Sequence, residues 1–325
     1  MSTKTGMMLQ KISELINSSH SILIASHSSP DGDAISSTLA LYNALKKIGK
    51  EVVAYNRDEV PGDLRFLPGS DALIRELPAG RSFDLGLVLD AGELRRAGTE
   101  LRDRCARLVN IDHHPHSESF GEINYVDVKA SATGILIYRL LNELGYAIDY
   151  PVALCIYTAI LSDTGSFRYS NADPESFEVA GKLVAMGVDP WKVASGLYES
   201  QEEVSLKLLG LALQTLEVSP CGRFAALTVT GEMLAATGAT AEHTDRFINY
   251  PRSIEGVEVA VFFRQVDAGQ FKVGFRSKGH VDVGALAREF GGGGHHNAAG
   301  ALLKGTAAAI RRQVFERLGE LLPNQ

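Results

Sequence analysis

Apolar residues in the first half of the chain alternate between two rhythms. Short apolar runs, "SILIAS" (21–26), "EVVAYN" (51–56), "FDLGLVLDAG" (83–92) and "RLVNID" (107–112), predict buried strands. Other stretches repeat their apolar residues at helical spacing. These are "MLQKISELINSS", "AISSTLALYNALKKIG" (34–49), "ASATGILIYRLLNELG" (130–145), "YPVALCIYTAILSDTGSF" (150–167) and "PESFEVAGKLVAMG" (174–187). Leu39, Tyr42 and Leu45 share one stripe of the 34–49 helix, and Gly49 stops it. Ser131 or Thr133 is the candidate N-cap of the 130–145 helix, and Gly145 closes it. Strands and helices in alternation predict an α/β fold with a doubly wound, mainly parallel sheet over residues 1–190. Ligands of such sheets gather beyond the carboxyl ends of the strands.

The pattern then changes. Residues 188–215 read as helical and partly charged, and 191–215 are expected to link two domains. The strand runs 222–230, 257–266 and 270–279 follow. Next, "DVGALAREFGGGGHHNAAGALL" (282–303) reads as a helix, a glycine loop and a strand or helix, and an amphipathic helix over 307–322 closes the chain. A smaller mixed α/β domain over 216–325 is the expectation. A length of 325 residues agrees with two domains.

Composition is that of a globular chain, 45% hydrophobic and 22% charged. The net charge of −7 argues against a protein that coats long duplex nucleic acid. Residues 251–325 are locally basic, with ten Lys/Arg against seven Asp/Glu. Three scattered cysteines, Cys105, Cys155 and Cys221, suggest neither a disulfide framework nor a thiolate zinc site. No signal-peptide core or membrane-length apolar stretch is visible, so a cytoplasmic protein is expected.

Polar clusters follow three of the apolar strands directly. "SHSSPDGDA" (26–34) brings His27, Asp31 and Asp33 into seven residues. Alone, it reads most simply as an Asp-rich turn capping the next helix. Asp90 ends an apolar strand, where a buried charge is costly unless paired or metal-bound. "IDHHPH" follows the next strand. Neighbouring side chains on an extended segment point to opposite sides, so His113 and His114 do not bind one ion alike. One suits a metal and the other substrate, with Asp112 orienting an imidazole, while His116 faces solvent. Asp163 in "LSDTGSF" ends a helix, where the dipole disfavours a carboxylate unless a cation compensates it. Together, two imidazoles and four carboxylates can meet on one rim. An oxygen-rich set with some imidazole suits manganese or magnesium. Six ligands suit two ions sharing a carboxylate better than one ion with open positions.

In order and spacing, "SHSSPDGDA", "VLDAG", "IDHH" and "LSDTGSF" match the four motifs of the DHH phosphoesterase family, which the N-terminal part of the chain resembles. "GGGGHHNAAG" (291–300) resembles the glycine-rich signature of the DHH-associated substrate-binding domain. "FRSKG" (275–279) and Arg264 resemble its phosphate-contacting strand residues. The whole is similar to the branch that hydrolyses very short oligoribonucleotides and removes the 3′-phosphate of 3′-phosphoadenosine 5′-phosphate (pAp). The resemblance implies one Mn²⁺ held by His27, Asp31 and Asp90, and a second held by Asp33, Asp90, His113 and Asp163. Mg²⁺ or Co²⁺ are substitutes. It implies a catalytic pair in His114, against the scissile phosphate, and Asp112. It implies substrate contacts from Arg264, Arg276, Ser277, Gly292, Gly293, Gly294 and His295. Ser36 stands where the family usually has glycine, which touches only helix packing.

The expected partners are short RNA, dinucleotides and pAp, in a cleft between the domains that would measure substrate length, with no membrane and no long duplex DNA. A homodimer is left open. The rival readings are a phosphodiesterase of cyclic dinucleotides or of linear pGpG and pApA, and a catalytically silent nucleotide-binding regulator.

Overall fold

Successive side chains of β1 (Ser21–Ser26) enter opposite cores, as a strand buried on both faces requires. Ile22 and Ile24 join one cluster, Leu23 and Ala25 another. The computed structural model describes residues 3–322. The chain divides into two compact units, 1–200 and 201–325.

In the first unit, α1 (Thr3–Ser18) leads into β1. Then come α2 (Gly32–Lys47), β2 (Glu51–Tyr55), β3 (Leu85–Leu89), α3 (Leu94–Ala97), α4 (Leu101–Arg104), β4 (Leu108–Asp112) and β5 (Ile123–Val126). Four helices follow: α5 (Thr133–Glu143), α6 (Tyr150–Asp163), α7 (Pro174–Ala185) and α8 (Pro190–Tyr198). The sheet is parallel throughout, in the order β2-β1-β3-β4-β5. Strand order therefore reverses between β1 and β3, the switch point beyond which such sheets open a ligand crevice.

One sheet face packs on α1, α2, α5 and α6 through Ile12, Leu39, Ile137 and Ile156, all fully buried. The other is covered by the short α3 and α4, with Leu94 and Leu101 against Leu23 and Val88. Helix α6 is apolar nearly all round because it is enclosed. Its contact with α5 is close enough that a Cβ on Gly134 would lie 2.5 Å from that of Ala159.

In the second unit, α9 (Glu203–Leu213) precedes β6 (Glu217–Val218), β7 (Phe224–Val229), α10 (Gly231–Thr237) and α11 (Asn249–Arg252). Then come β8 (Val259–Asp267), β9 (Gln270–Ser277), α12 (Val283–Glu289), β10 (Gly293–His295), β11 (Ala298–Lys304) and α13 (Ala307–Leu321). The sheet runs β10-β11-β9-β8-β7-β6, with β7 and β8 parallel and the other neighbours antiparallel. One face buries Val261, Phe263, Val273 and Phe275 beneath Leu286, Val314 and Leu318. Across the sheet, Val229 packs on Leu208 and Phe247.

Of the stretch 191–215, α8 lies in the first unit and α9 in the second. Two expectations are corrected. The glycine run 291–294 is not only a loop, since Gly293 and Gly294 pair with Gly300 and Ala299 in a hairpin. The N-cap of α5 is Ala132, with neither Ser131 nor Thr133 capping by side chain. Among the described residues, no helix is long and apolar enough to cross a membrane.

Candidate metal centre

Beyond the carboxyl ends of β1, β3 and β4, the chain places His27, Asp90 and the pair His113–His114. Asp31 and Asp33 come from the start of α2, and Asp163 from the end of α6. All six expected ligands converge there. His27 Nε2 lies 3.9 Å from Asp31 Oδ1 and 3.8 Å from Asp90 Oδ2. His113 Nε2 lies 3.5 Å from Asp90 Oδ1, and 3.8 Å from both Asp33 Oδ2 and Asp163 Oδ2. The two oxygens of Asp90 thus face two different ligand sets. Atoms bound about 2.0–2.2 Å from a shared ion sit roughly 3–3.6 Å apart, so both sets need only slight contraction to close on a cation.

Each donor is aimed by a neighbour. The Nδ1 of His27 meets the Ser28 carbonyl at 2.9 Å and that of His113 the Ala130 carbonyl at 3.1 Å, which turns both Nε2 atoms inward. Asp33 accepts from the Thr133 and Gly134 backbone N–H groups at 2.6 and 3.0 Å, and from the Ser37 hydroxyl at 2.8 Å. This acid on α2 thereby caps α5, which explains why α5 needs no side-chain cap of its own. The freed Thr133 hydroxyl donates to Asp90 Oδ1 at 3.0 Å. Asn171 donates to Asp163 Oδ2 at 3.1 Å. Asp90 itself has φ +56°, a left-handed backbone uncommon outside glycine and typical of strained functional positions.

The charge balance of the cluster calls for cations. Burial and the neighbouring Asp90 push the Asp33 carboxyl well above its ordinary value. Burial pushes Asp163 up to about 7. Burial also opposes ionisation of Asp90, but the imidazoles of His113, His114 and His27 outweigh it and hold that carboxyl low. Burial opposes charge on His113 too, and Asp90 and Asp163 overcome it, leaving this imidazole protonated well above its usual range. Protons therefore occupy a site whose carboxylates would otherwise repel one another, the environment that divalent ions neutralise. The donor set fits two such ions.

His114 stands beside this set. Its Nδ1 lies 2.6 Å from Asp112 Oδ1. Asp112 is fully buried and accepts the backbone N–H groups of Gly92, His113 and His114 at 2.8, 2.8 and 3.1 Å. His116 is exposed.

The expected substrate residues of the second unit separate by role. Arg264 on β8 pairs with Lys272 on β9, and Arg276 on β9 with Ala260 on β8, so both arginines share one sheet face. Four residues of strand separate their backbones, about 13 Å along the sheet. Ser277 is 3% exposed. Its hydroxyl donates to Glu258 and accepts from the Gly279 and Val281 N–H groups, so it holds the turn after β9. A Cβ on Gly292 would lie 2.2 Å from the Gly300 carbonyl, and one on Gly294 would lie 2.4 Å from Ala299 Cα. These two glycines let β10 seat on β11, whereas Gly293 meets open space. His295 lies in β10, and its side chain is outside the described residues.

Sequence reasoning missed Thr133 as a support of Asp90, and Asn171 as a support of Asp163. Thr133 carries a signal, a polar residue at a helix start, whereas Asn171 in "YSNADP" sits in a polar stretch without one.

Residues 21–160 match the DHH family, N-terminal domain, and residues 224–320 match the DHHA1 domain. The chain belongs to the DHH family of phosphoesterases. It is 38% identical to the bifunctional oligoribonuclease and PAP phosphatase NrnA of Thermus thermophilus over 303 residues, 92% of this chain and 88% of that protein. The protein of the same name from Bacillus subtilis is 31% identical over 86% of this chain and 88% of its own length. Among solved structures, an exopolyphosphatase-related protein from Bacteroides fragilis superposes with a TM-score of 0.92 at 30% identity, covering 97% of each chain.

Proposed function

We propose that this hydrolase cleaves short oligoribonucleotides and dinucleotides to mononucleotides, and removes the 3′-phosphate of pAp. It would use two manganese ions, for which magnesium or cobalt could substitute. The observation that carries this reading is Asp90, whose Oδ2 faces His27 and whose Oδ1 faces His113. His27, Asp31 and Asp90 would hold one ion, and Asp33, Asp90, His113 and Asp163 the other. Such ions supply charge neutralisation on the phosphoryl oxygens.

The chain's own residues do the rest. Asp112 pins Nδ1 of His114 and, against the effect of burial, raises its proton affinity. With Nδ1–H donating to Asp112, a second proton on Nε2 gives an imidazolium whose Nε2–H can donate a charge-assisted bond to a nonbridging phosphate oxygen. Arg264, Arg276, Gly293 and His295 would anchor the remaining phosphate or nucleotide. Ser277, Gly292 and Gly294 support that surface by shaping it. The short-substrate reading agrees with the net charge of −7, which offers little to a long strand. A cytoplasmic location completes the proposal.

Turnover of pAp, a 5′-phosphorylated dinucleotide and RNAs of increasing length is the test. The expected result is rapid cleavage of pAp and the shortest RNAs with Mn²⁺, abolished by chelation and reduced at least about 10²-fold by Asp90→Ala. Tight dinucleotide binding without turnover in the metal-loaded protein would refute hydrolysis.

A further inference from the structure

Just beyond Asp163, the chain makes a turn of three consecutive left-handed residues: Gly165 (φ +54°), Ser166 (φ +63°) and Phe167 (φ +61°). A phenylalanine in that conformation is a backbone outlier. The surroundings hold it there. Asn171 ties the loop back to the Asp163 carboxylate and to the Ser131 carbonyl at 2.9 Å. Ser166 donates to the Tyr198 hydroxyl at 2.9 Å, and the Tyr169 ring lies against Gly165. The turn directs Phe167 onto Phe177 of α7, the rings stacked with centroids 4.9 Å apart and planes 28° from parallel. Phe177 remains 56% exposed. Its neighbour Ser176 donates to the Ser131 hydroxyl at 2.8 Å, two residues before Thr133, which contacts both Asp33 and Asp90. Arg168, exposed on the same turn, donates from Nε to the Gly165 carbonyl at 2.7 Å.

An exposed ring, Phe177, backed by the half-buried Phe167 and flanked by a guanidinium, all braced to a metal-binding cluster, matches what a nucleobase requires. It offers a flat π-surface for stacking and a cation for the phosphate beside it. We propose that Phe167 and Phe177 form a nucleobase platform, seating the base of the nucleotide that carries the scissile phosphate. The inference rests on the reading that the site acts on short oligoribonucleotides. Because every base has a π-face, such a platform grips RNA without choosing sequence.

The exposed Phe177 allows a test that spares the fold. In Phe177→Ala, KM for a 5′-phosphorylated dinucleotide should rise about fivefold or more with kcat within about twofold. Phe177→Tyr should restore it. KM for the matching abasic dinucleotide should be the same in wild type and Phe177→Ala. Independently of cleavage, rapid mixing with a dinucleotide carrying 2-aminopurine at either position in turn should show quenching by the wild type, lost in Phe177→Ala. An unchanged dinucleotide KM, an equal rise for the abasic analogue, or no quenching by the wild type would each overturn the platform. Quenching without cleavage would preserve the platform and instead refute the assigned reaction.

Discussion

Asp90 shows at the scale of one residue how the candidate site is assembled. A carboxylate ending an apolar strand was conspicuous in the sequence because burial there demands a partner. The histidines and aspartates were legible for the same reason: each interrupts an apolar run or crowds a turn. The turn bracing by Ser277 and the close strand approach at Gly292 and Gly294 are not legible, because neither role leaves a pattern along the chain. Thr133 was visible only as a helix start, since its partners lie 43 and 100 residues away. It carries a prediction. Thr133→Val keeps the shape and the backbone donor to Asp33 but removes the hydroxyl that orients Asp90. Mn²⁺ affinity should fall about 10- to 100-fold, as when other outer supports of metal ligands are lost. Calorimetric titration with unaltered circular dichroism would establish this, and unchanged affinity would show that Asp90 needs no such support.

Elements were legible where their pattern was long and apolar. β1 was read at its observed bounds, and β2, β3 and β4 within a few residues. β5 was not, being four residues at the sheet edge with only Tyr125 fully buried, and α3 and α4 are single turns without a period to detect. Contacts between elements were the least visible. Arg139 of α5 is the clearest case, as its side chain is only 13% exposed. It donates from Nη1 to Asp127, just past β5, at 2.7 Å, and from Nε to Glu175 in the first turn of α7 at 2.8 Å. A further bond runs from Nη2 to Glu175. Removing the cation strands two carboxylates that are each about a third exposed. Arg139→Ala should therefore cost about 2–4 kcal/mol, somewhat below the loss for a fully buried pair. Urea denaturation followed by circular dichroism would measure it, and a cost under about 1 kcal/mol would make the cluster ordinary surface charge.

For the whole molecule, gathering the metal-site groups without ions makes stability depend on pH with a definite sign. Asp33 and Asp163 have raised proton affinities in the folded protein, Asp163 up to about 7, against about 3.9 for an unfolded aspartate. Between those values the folded state binds more protons than the unfolded state, so each rise in pH removes stability. His113 and His114 act in the same direction above about 6.5, because Asp90 and Asp112 hold them protonated against burial. Asp90 and Asp112 act oppositely, their carboxyls held low by neighbouring imidazoles despite burial, but their contribution is complete once the unfolded carboxylates have ionised near pH 5. The metal-stripped protein should then melt at least a few degrees lower at pH 8 than at pH 5.5. Saturating Mn²⁺ should reverse the order, since the ion competes with the same protons and binds more tightly as pH rises, stabilising the fold by mass action. Melting curves at the two pH values, with chelator and with Mn²⁺, decide the matter. A chelated protein that is equally or more stable at pH 8 would mean that these carboxylates do not share the crowded, buried environment from which the two-ion reading is drawn.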